Sequence, residues 1–278
     1  MSCKICWGVF RERAHSPGRE FDDAEILRLT GKHLEAKGFQ VSLKIPEEIS
    51  VPLKERPPCL FFMCEQTHIL NQFLAWEKEG NPQVNSPAAV FNTYRTRMIS
   101  LFQRDGVVFP NSVIIPTEGK IATISKPSWI KRADVHNTQD GDVVFATTHI
   151  QAEDALHTMA ERGISHAIIQ DHIPGDLIKF YGIGDSGRLD GAPPWFRFFY
   201  HKNQQVEGFQ FKPETLASLA QRAASSLGLE IFGGDAIATK AGDIYIIDLN
   251  AWPSFALYRD EASEQIASYL FQRFTSHS

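Results

Sequence analysis

The stretch 246-IIDLNAWPSF-255 decides how this chain is read. Apolar residues lead into it as into a buried strand. Then Asp248 and Asn250 arrive with one leucine between them, and Pro253 follows. Strand residues two apart face the same side, so Asp248 and Asn250 point together. Upstream, 230-EIFGGDAIATKAGD-243 supplies a partner strand, with the tight turn at Ala241-Gly242. That turn sets Thr239 against Ile244, Ile237 against Ile246 and Asp235 against Asp248. Two carboxylates directly opposite each other repel, and a half-buried sheet needs a cation or protons between them.

Asp235, Asp248 and Asn250 offer hard oxygen donors, the set that suits Mg²⁺ with its retained waters and phosphate partners. The alternative is a solvated strand end with Asn250 as a turn residue. Gly233-Gly234 admits close backbone approach, which fits either a phosphate-bearing ligand or a β-bulge.

The rest of the chain frames that hairpin. Its 278 residues are 43% hydrophobic and 22% charged, enough apolar material for a sizeable core. The net charge of -5 argues against a nucleic-acid or membrane-surface binder. No apolar run reaches the roughly 18 residues needed to span a bilayer. The start, MSCKICWGVFRERAHSPGRE, does not read as a signal peptide, so a cytoplasmic location is expected. Cys3, Cys6, Cys59 and Cys64 then read as reduced thiols, since the C-x-x-C has no second pair at zinc-like spacing.

Strand and helix signals alternate through the first third, as in a small parallel sheet. KICWGVF, FQVSLKI and CLFFMC read as strands, with helices over about 22–37 and 66–80. PAAVFNTYRTRMISLFQRDG, opened by proline and closed by glycine, reads as one linking helix. Beyond it come SWIKRA and DVVFATT as a strand pair, a helix at AEDALHTMAERG, the strand SHAIIQDHI, and the segments PGDLIKFYGIG and WFRFFYHK. The helix PETLASLAQRAASSLG precedes the hairpin, and SEQIASYLFQRF closes the chain.

Taken in this order, the motifs resemble the ATP-grasp superfamily. Asp235, Asp248, Asn250 and Pro253 match its D…(D/E)-x-N-x-x-P pattern, and VNSP followed by a helix resembles its junction into the ATP-binding region. The resemblance implies an α/β fold with an N-terminal parallel lobe at 1–86. A linking helix and lysine-bearing lobe follow at 87–172, and a metal-bearing lobe at 173–278. It implies ATP and Mg²⁺ as cofactors. Lys131 then sits where the family's strand lysine meets ATP phosphates, and 133–141 resembles the loop covering them, with His136 near its middle. Gln170, Asp171, His172 and Ile173 are expected to present backbone groups to adenine. Asp176 is expected to accept from ribose hydroxyls and Lys179 to lie near the γ-phosphate. Asp248 in place of the commoner Glu, together with His136, also resembles the inositol-phosphate kinase branch.

Both chemistries transfer the γ-phosphoryl group to a substrate oxygen, by positioning and charge neutralisation. A small anionic acceptor is expected, a carboxylate for a carboxylate–amine or thiol ligase, an alcohol for a kinase. Arg11, Arg13 and Arg19 follow the first strand, where ligands of open α/β sheets bind. Ser254 is placed to touch the acceptor, and one of Arg95 and Arg97 to face the site. Arg197 in an aromatic strand is either a catalytic ligand contact or half of a structural ion pair. His15 and the remaining histidines read as surface or capping residues.

Overall fold

A computed structural model describes residues 4–49, 55–119, 123–134, 139–184, 191–200 and 204–276. It is an α/β fold of three sheets. The first sheet runs β2-β1-β3-β4 and is parallel throughout, from β1 (Lys4–Val9), β2 (Phe39–Lys44), β3 (Cys59–Phe62) and β4 (Gln83–Val84). Its crossovers are α1 (Glu20–Ala36) and α3 (Thr67–Lys78), with a single turn α2 (Pro46–Ile49) between them. β3 is buried on both faces, which is why CLFF reads as a continuous apolar run.

The expected single linking helix is two helices. α4 (Pro87–Asn92) ends at Thr93, and α5 (Arg95–Asp105) restarts with Tyr94 in extended conformation as its N-cap. Thr93 gives its hydroxyl to Val90 O, so the first helix is closed by its own side chain. The break turns Arg95 inward, while Arg97 lies over the ring of Phe91.

The second sheet, order β5-β8-β6-β7, is antiparallel and comprises β5 (Ser112–Pro116), β6 (Ser128–Arg132), β7 (Val143–Ala146) and β8 (His166–Asp171). α6 (His149–Glu161) covers one face, held at its start by a Thr148–Gln151 capping box. The third sheet, order β10-β9-β11-β12, comprises β9 (Asp176–Ile183), β10 (Trp195–Tyr200), β11 (Ile231–Ala238) and β12 (Ile244–Ala251). α7 (Pro213–Leu227) packs beneath it, and α8 (Arg259–Thr275) returns to lie against α1 of the first lobe. Asn85 ties the first lobe to this sheet: its buried amide donates to Ile231 O and accepts from the N–H groups of Glu230 and Ile231.

The hairpin register brings Asp235 opposite Asp248, but a bulge follows at once. Ala236, not Ile237, pairs with Ile246, and Ile237 pairs with Tyr245. The extra residue on β12 is Ile247. The N–H of Ile246 leaves the hairpin to donate to Val108 O in the loop before β5. The turn itself is Thr239–Gly242, with Gly242 at φ +87° where a side chain would be strained. Among the described residues Cys6, Cys59 and Cys64 are free thiols, and no helix is long and apolar enough to cross a membrane.

Candidate functional site

Two cavities meet at the open face of β11 and β12. One, of about 360 Å³, lies between the second and third sheets. The other, of about 420 Å³, lies between the third sheet and the loop after β1. Asp235, Asp248 and Arg95 border both. The boundary is therefore the carboxylate pair with one buried guanidinium above it.

On the first side, Trp129, Val143, Ile173, Leu177, Ile237 and Ile247 make apolar walls. Trp129 is fixed by donating its indole N–H to His172 Nδ1 at 3.2 Å, with Phe145 against its face. Lys131 projects from β6 into this cavity. Its Nζ donates to Gln170 Oε1 at 2.7 Å, and Gln170 donates to Ser112 Oγ at 3.0 Å, so a buried amide aims the ammonium. Burial lowers the Lys131 pKa to about 8, against the pull of Asp248. An ammonium so poorly solvated is primed to receive an anion.

Gln170, Asp171, His172 and Ile173 all line this cavity. The backbone N–H groups of Asp171 and His172 are already given to Asn111 O and Pro127 O. Asp171 accepts from Lys126 at 2.6 Å. The expectation of a free backbone edge along 170–173 is thus corrected for those two N–H groups. Asp176 does not line either cavity. Its buried carboxylate accepts the N–H groups of Glu207, Gly208 and Phe209, between 2.7 and 2.9 Å, and serves to anchor that loop. Three donors occupy most of that carboxylate's acceptor sites and hold it away from both cavities.

At the boundary, burial raises the Asp235 pKa while Lys179, donating to Oδ1 at 2.8 Å, pulls it down. Lys179 lies on the second cavity's side, so its ammonium is the cation that the opposed carboxylates require. Asn250 follows on the same face as Asp248 and borders that cavity too. Asp235, Asp248 and Asn250 fit a small hard cation that takes Lys179's place at Asp235. Gly233 must be glycine here, because a Cβ would lie 2.6 Å from Pro253 Cγ and 2.9 Å from Tyr181 Cδ1. Arg95 donates to Arg132 O at 3.1 Å, and burial lowers its pKa. Sequence reading left the choice between Arg95 and Arg97 open, and the helix break at Thr93-Tyr94 is what turns Arg95 toward the two cavities.

The second cavity is polar. Arg11, Arg19 and Ser254 line it. Arg11 is engaged, donating to Glu65 at 2.8 Å and to Ala251 O and Trp252 O at 3.2 and 2.7 Å, with Asp23 at 3.5 Å. It binds the end of β1 to the end of β12. Arg19 is exposed and has no ion pair among the described residues. Glu65 and Tyr94, unassigned from sequence, and His15, read there as a surface or capping residue, also line it. Two expectations are corrected. Arg13 is exposed and borders neither cavity. Arg197 pairs with Glu261, lies over Trp195 and borders neither cavity, so it is the structural half of the alternative. His136, with residues 135–138 of the expected covering loop, lies outside the described residues. The loop's far end is held by buried Asp142, which binds Arg132, Arg162 and the N–H of Gln139.

Three solved structures share this arrangement of lobes. The RimK-domain ATP-grasp protein of Sphaerobacter thermophilus superposes with a TM-score of 0.67 at 15% identity, covering 96% of this chain and 99% of that one. The ATP-grasp ligase PsnB, complexed with minimal precursor, Mg and ADP, gives 0.64 at 16%, covering 97% and 98%. D-alanine–D-alanine ligase of Bacillus anthracis, complexed with ATP, gives 0.67 at 12%, covering 99% and 97%. No protein-family model and no curated protein sequence matches the chain.

Proposed function

Because the chain has the ATP-grasp fold, we propose that it is a Mg-ATP-dependent ligase. In this reading it transfers the ATP γ-phosphoryl group to the carboxylate of a small acceptor, and an amine or thiol then attacks the acyl phosphate. The observation that carries this is the meeting of two cavities at Asp235 and Asp248. An apolar-walled cleft with a lysine at its depth suits a nucleotide with its phosphates toward the boundary. A polar cavity on the other side suits an acceptor, and in-line transfer needs the two to meet at one point.

Each residue then has a task. Trp129, Val143, Ile173, Leu177 and Ile237 hold the base. Lys131 and Arg95 bind the phosphate oxygens and neutralise charge that builds up as the group moves. Asp235, Asp248 and Asn250 would hold Mg²⁺, which would supply Lewis-acid neutralisation of the phosphate charge. Lys179, released from Asp235, is left free to contact the transferring group. Ser254 and Arg19 orient the acceptor.

The charge on the acceptor side favours a ligase over an inositol-phosphate-like kinase. With Mg²⁺ on Asp235 and Asp248, Arg95 on the ATP phosphates and Arg11 committed to Glu65, Asp23 and two carbonyls, Arg19 and Lys179 are the cations left to the acceptor. Two such groups suit a singly charged or zwitterionic acceptor. A sugar polyphosphate would need several uncommitted cations. The test is incubation of the full chain with Mg-ATP and a panel of carboxylic acids, amines and polyols, with product detection by mass. ADP with an amide or thioester supports the ligase. ADP with a phosphate ester of an alcohol, and none with any carboxylate, overturns it.

A further inference from the structure

The acceptor cavity contains one side chain whose chemistry the phosphoryl step does not use. His15 stands at the end of a single 3₁₀ turn, Arg13–His15, just after β1. Its Nδ1 is buried and lies 3.2 Å from Glu12 Oε2. Glu12 is itself only 3% exposed. Its carboxylate is fixed by the N–H of Glu65, at 3.1 and 3.0 Å to its two oxygens, and the N–H of Gln66, at 3.0 Å. Two backbone donors thus hold the carboxylate, and the carboxylate faces one ring nitrogen. His15 lines the cavity, with its Nδ1 on the side of the ring that faces Glu12.

We propose that His15, oriented by Glu12, is the base that takes the proton from the attacking nucleophile. This rests on the ligase reading above and names a residue for its second half. A primary amine is protonated at neutral pH and has no lone pair to attack with. In the step proposed, the ammonium N–H bond breaks and its proton moves to His15 Nε2. The freed lone pair forms the C–N bond at the acyl carbon, the C–O bond to phosphate breaks, and inorganic phosphate leaves with that electron pair. The remaining surplus proton on nitrogen passes to solvent as the imidazolium also resets. ATP, a carboxylate and a primary amine are the only reactants needed.

The ring's surroundings suit the task. Glu12 and Arg11 come from its own segment, Glu65 from the loop after β3 and Asp23 from α1. The Glu12 carboxylate beside Nδ1 raises the His15 pKa, with Glu65 adding to it, while burial and Arg11 oppose. A carboxylate-backed imidazole is more basic and keeps one tautomer.

The test separates the two halves of the reaction with hydroxylamine, which is unprotonated at neutral pH and traps acyl phosphates without a base. The full chain is supplied with Mg-ATP, a panel of carboxylic acids, and either hydroxylamine or a primary alkylamine. For His15→Gln the ratio of hydroxamate to amide formed is expected to rise about 100-fold over the wild type. The alkylamine rate of the wild type is expected to fall as pH drops through the His15 pKa and to level off above it, whereas in the variant it should keep rising with pH in step with the free-amine fraction. Loss of hydroxamate and amide in equal measure, or loss of neither, overturns the assignment and leaves the ligase intact. A wild type that yields no hydroxamate with any carboxylate overturns the ligase and this step with it. Thermal melting of the variant confirms that the comparison is made on folded protein.

Discussion

The two cavities are built differently. The cleft between the second and third sheets takes its walls from strands: Trp129, Lys131 and Gln170 from β6 and β8, Leu177 and Ile237 from β9 and β11. Backbone ladders hold these positions, so the walls exist before anything binds. The acceptor cavity takes its walls from chain ends and loops: Arg11, His15, Arg19, Glu65, Tyr94 and Ser254. Those are held by side-chain ion pairs and hydrogen bonds that span the sequence, such as Arg11 to Trp252 O. A site whose chemistry is shared by many acceptors can be rigid. A site that selects one acceptor is assembled from the parts most easily varied.

The boundary between the cavities carries the largest expected effect. Asp248→Asn keeps the shape and removes one charge from the opposed pair. Turnover of ATP is expected to fall about 1,000-fold, the scale seen when a main charge-stabilising group is lost. A coupled ADP assay checks it. A loss under tenfold would mean that the cavities meet at a point without chemical significance. Lys131→Ala comes next, at about 100-fold in the same assay, with the fold retained. Its ammonium is held by a single amide at low solvation, so removal relieves burial of a charge rather than breaking a structural pair. A collapse of the melting transition would show that the rigid side depends on this lysine for stability.

Arg11→Ala probes the other side, and there stability is what should suffer. Burial alone lowers the Arg11 pKa, and Glu65, Asp23 and Glu12 together raise it overall, so the group is tightly committed. Removing it leaves Glu65 and Asp23 uncompensated. About 3–5 kcal/mol of stability should go, read from the urea midpoint. An unchanged midpoint with a raised acceptor KM would return Arg11 to the role of anion clamp expected from sequence.

How much of this was legible beforehand follows the same division. The opposition of Asp235 and Asp248 was legible, though the turn was read one residue off: Ala238, not Thr239, pairs with Ile244, and the extra residue at Ile247 restores the register at the carboxylates. The bulge at Ile247 was not, because it answers to Val108 in another lobe, which no local pattern reveals. Lys131 was legible as a strand lysine, but the Gln170 side chain that aims it, acting across two strands, was not. On the loop side the arginines were found by type and could not be sorted. Arg11, Arg13 and Arg19 look alike in sequence, and only packing makes one a tie, one a surface group and one a lining residue. Asp176 turned to structural partners for the same reason, and Arg197 took the structural half of its two alternatives, each through a partner far along the chain.

Ligand binding should sharpen the contrast at a smaller scale. With Mg-ATP at a hundredfold excess over its Kd, the melting temperature is expected to rise by roughly 5 °C. ATP with chelator should give a clearly smaller rise, because the phosphates then meet Asp235 and Asp248 without a cation between them. Equal shifts would remove Mg²⁺ from the carboxylate pair.

The smallest expected effect belongs to Arg19. It precedes α1, borders the acceptor cavity, is exposed, and has no ion pair among the described residues. It ties nothing together, so Arg19→Ala should leave the urea midpoint where it is, in contrast to Arg11→Ala eight residues earlier. A charge-assisted hydrogen bond to an acceptor carboxylate accounts for about 1.5 kcal/mol at such a site, or about tenfold in affinity. The acceptor KM should therefore rise about tenfold, with kcat and the KM for ATP little moved, since the lost contact is the same in the ground state and the transition state. Arg19→Lys should recover part of the loss, because charge survives and the fork does not. A shift in the KM for ATP instead would mean that Arg19 reaches past Asp235 and Asp248. The boundary between the rigid cleft and the adaptable cavity would then lie on the loop side of the carboxylates.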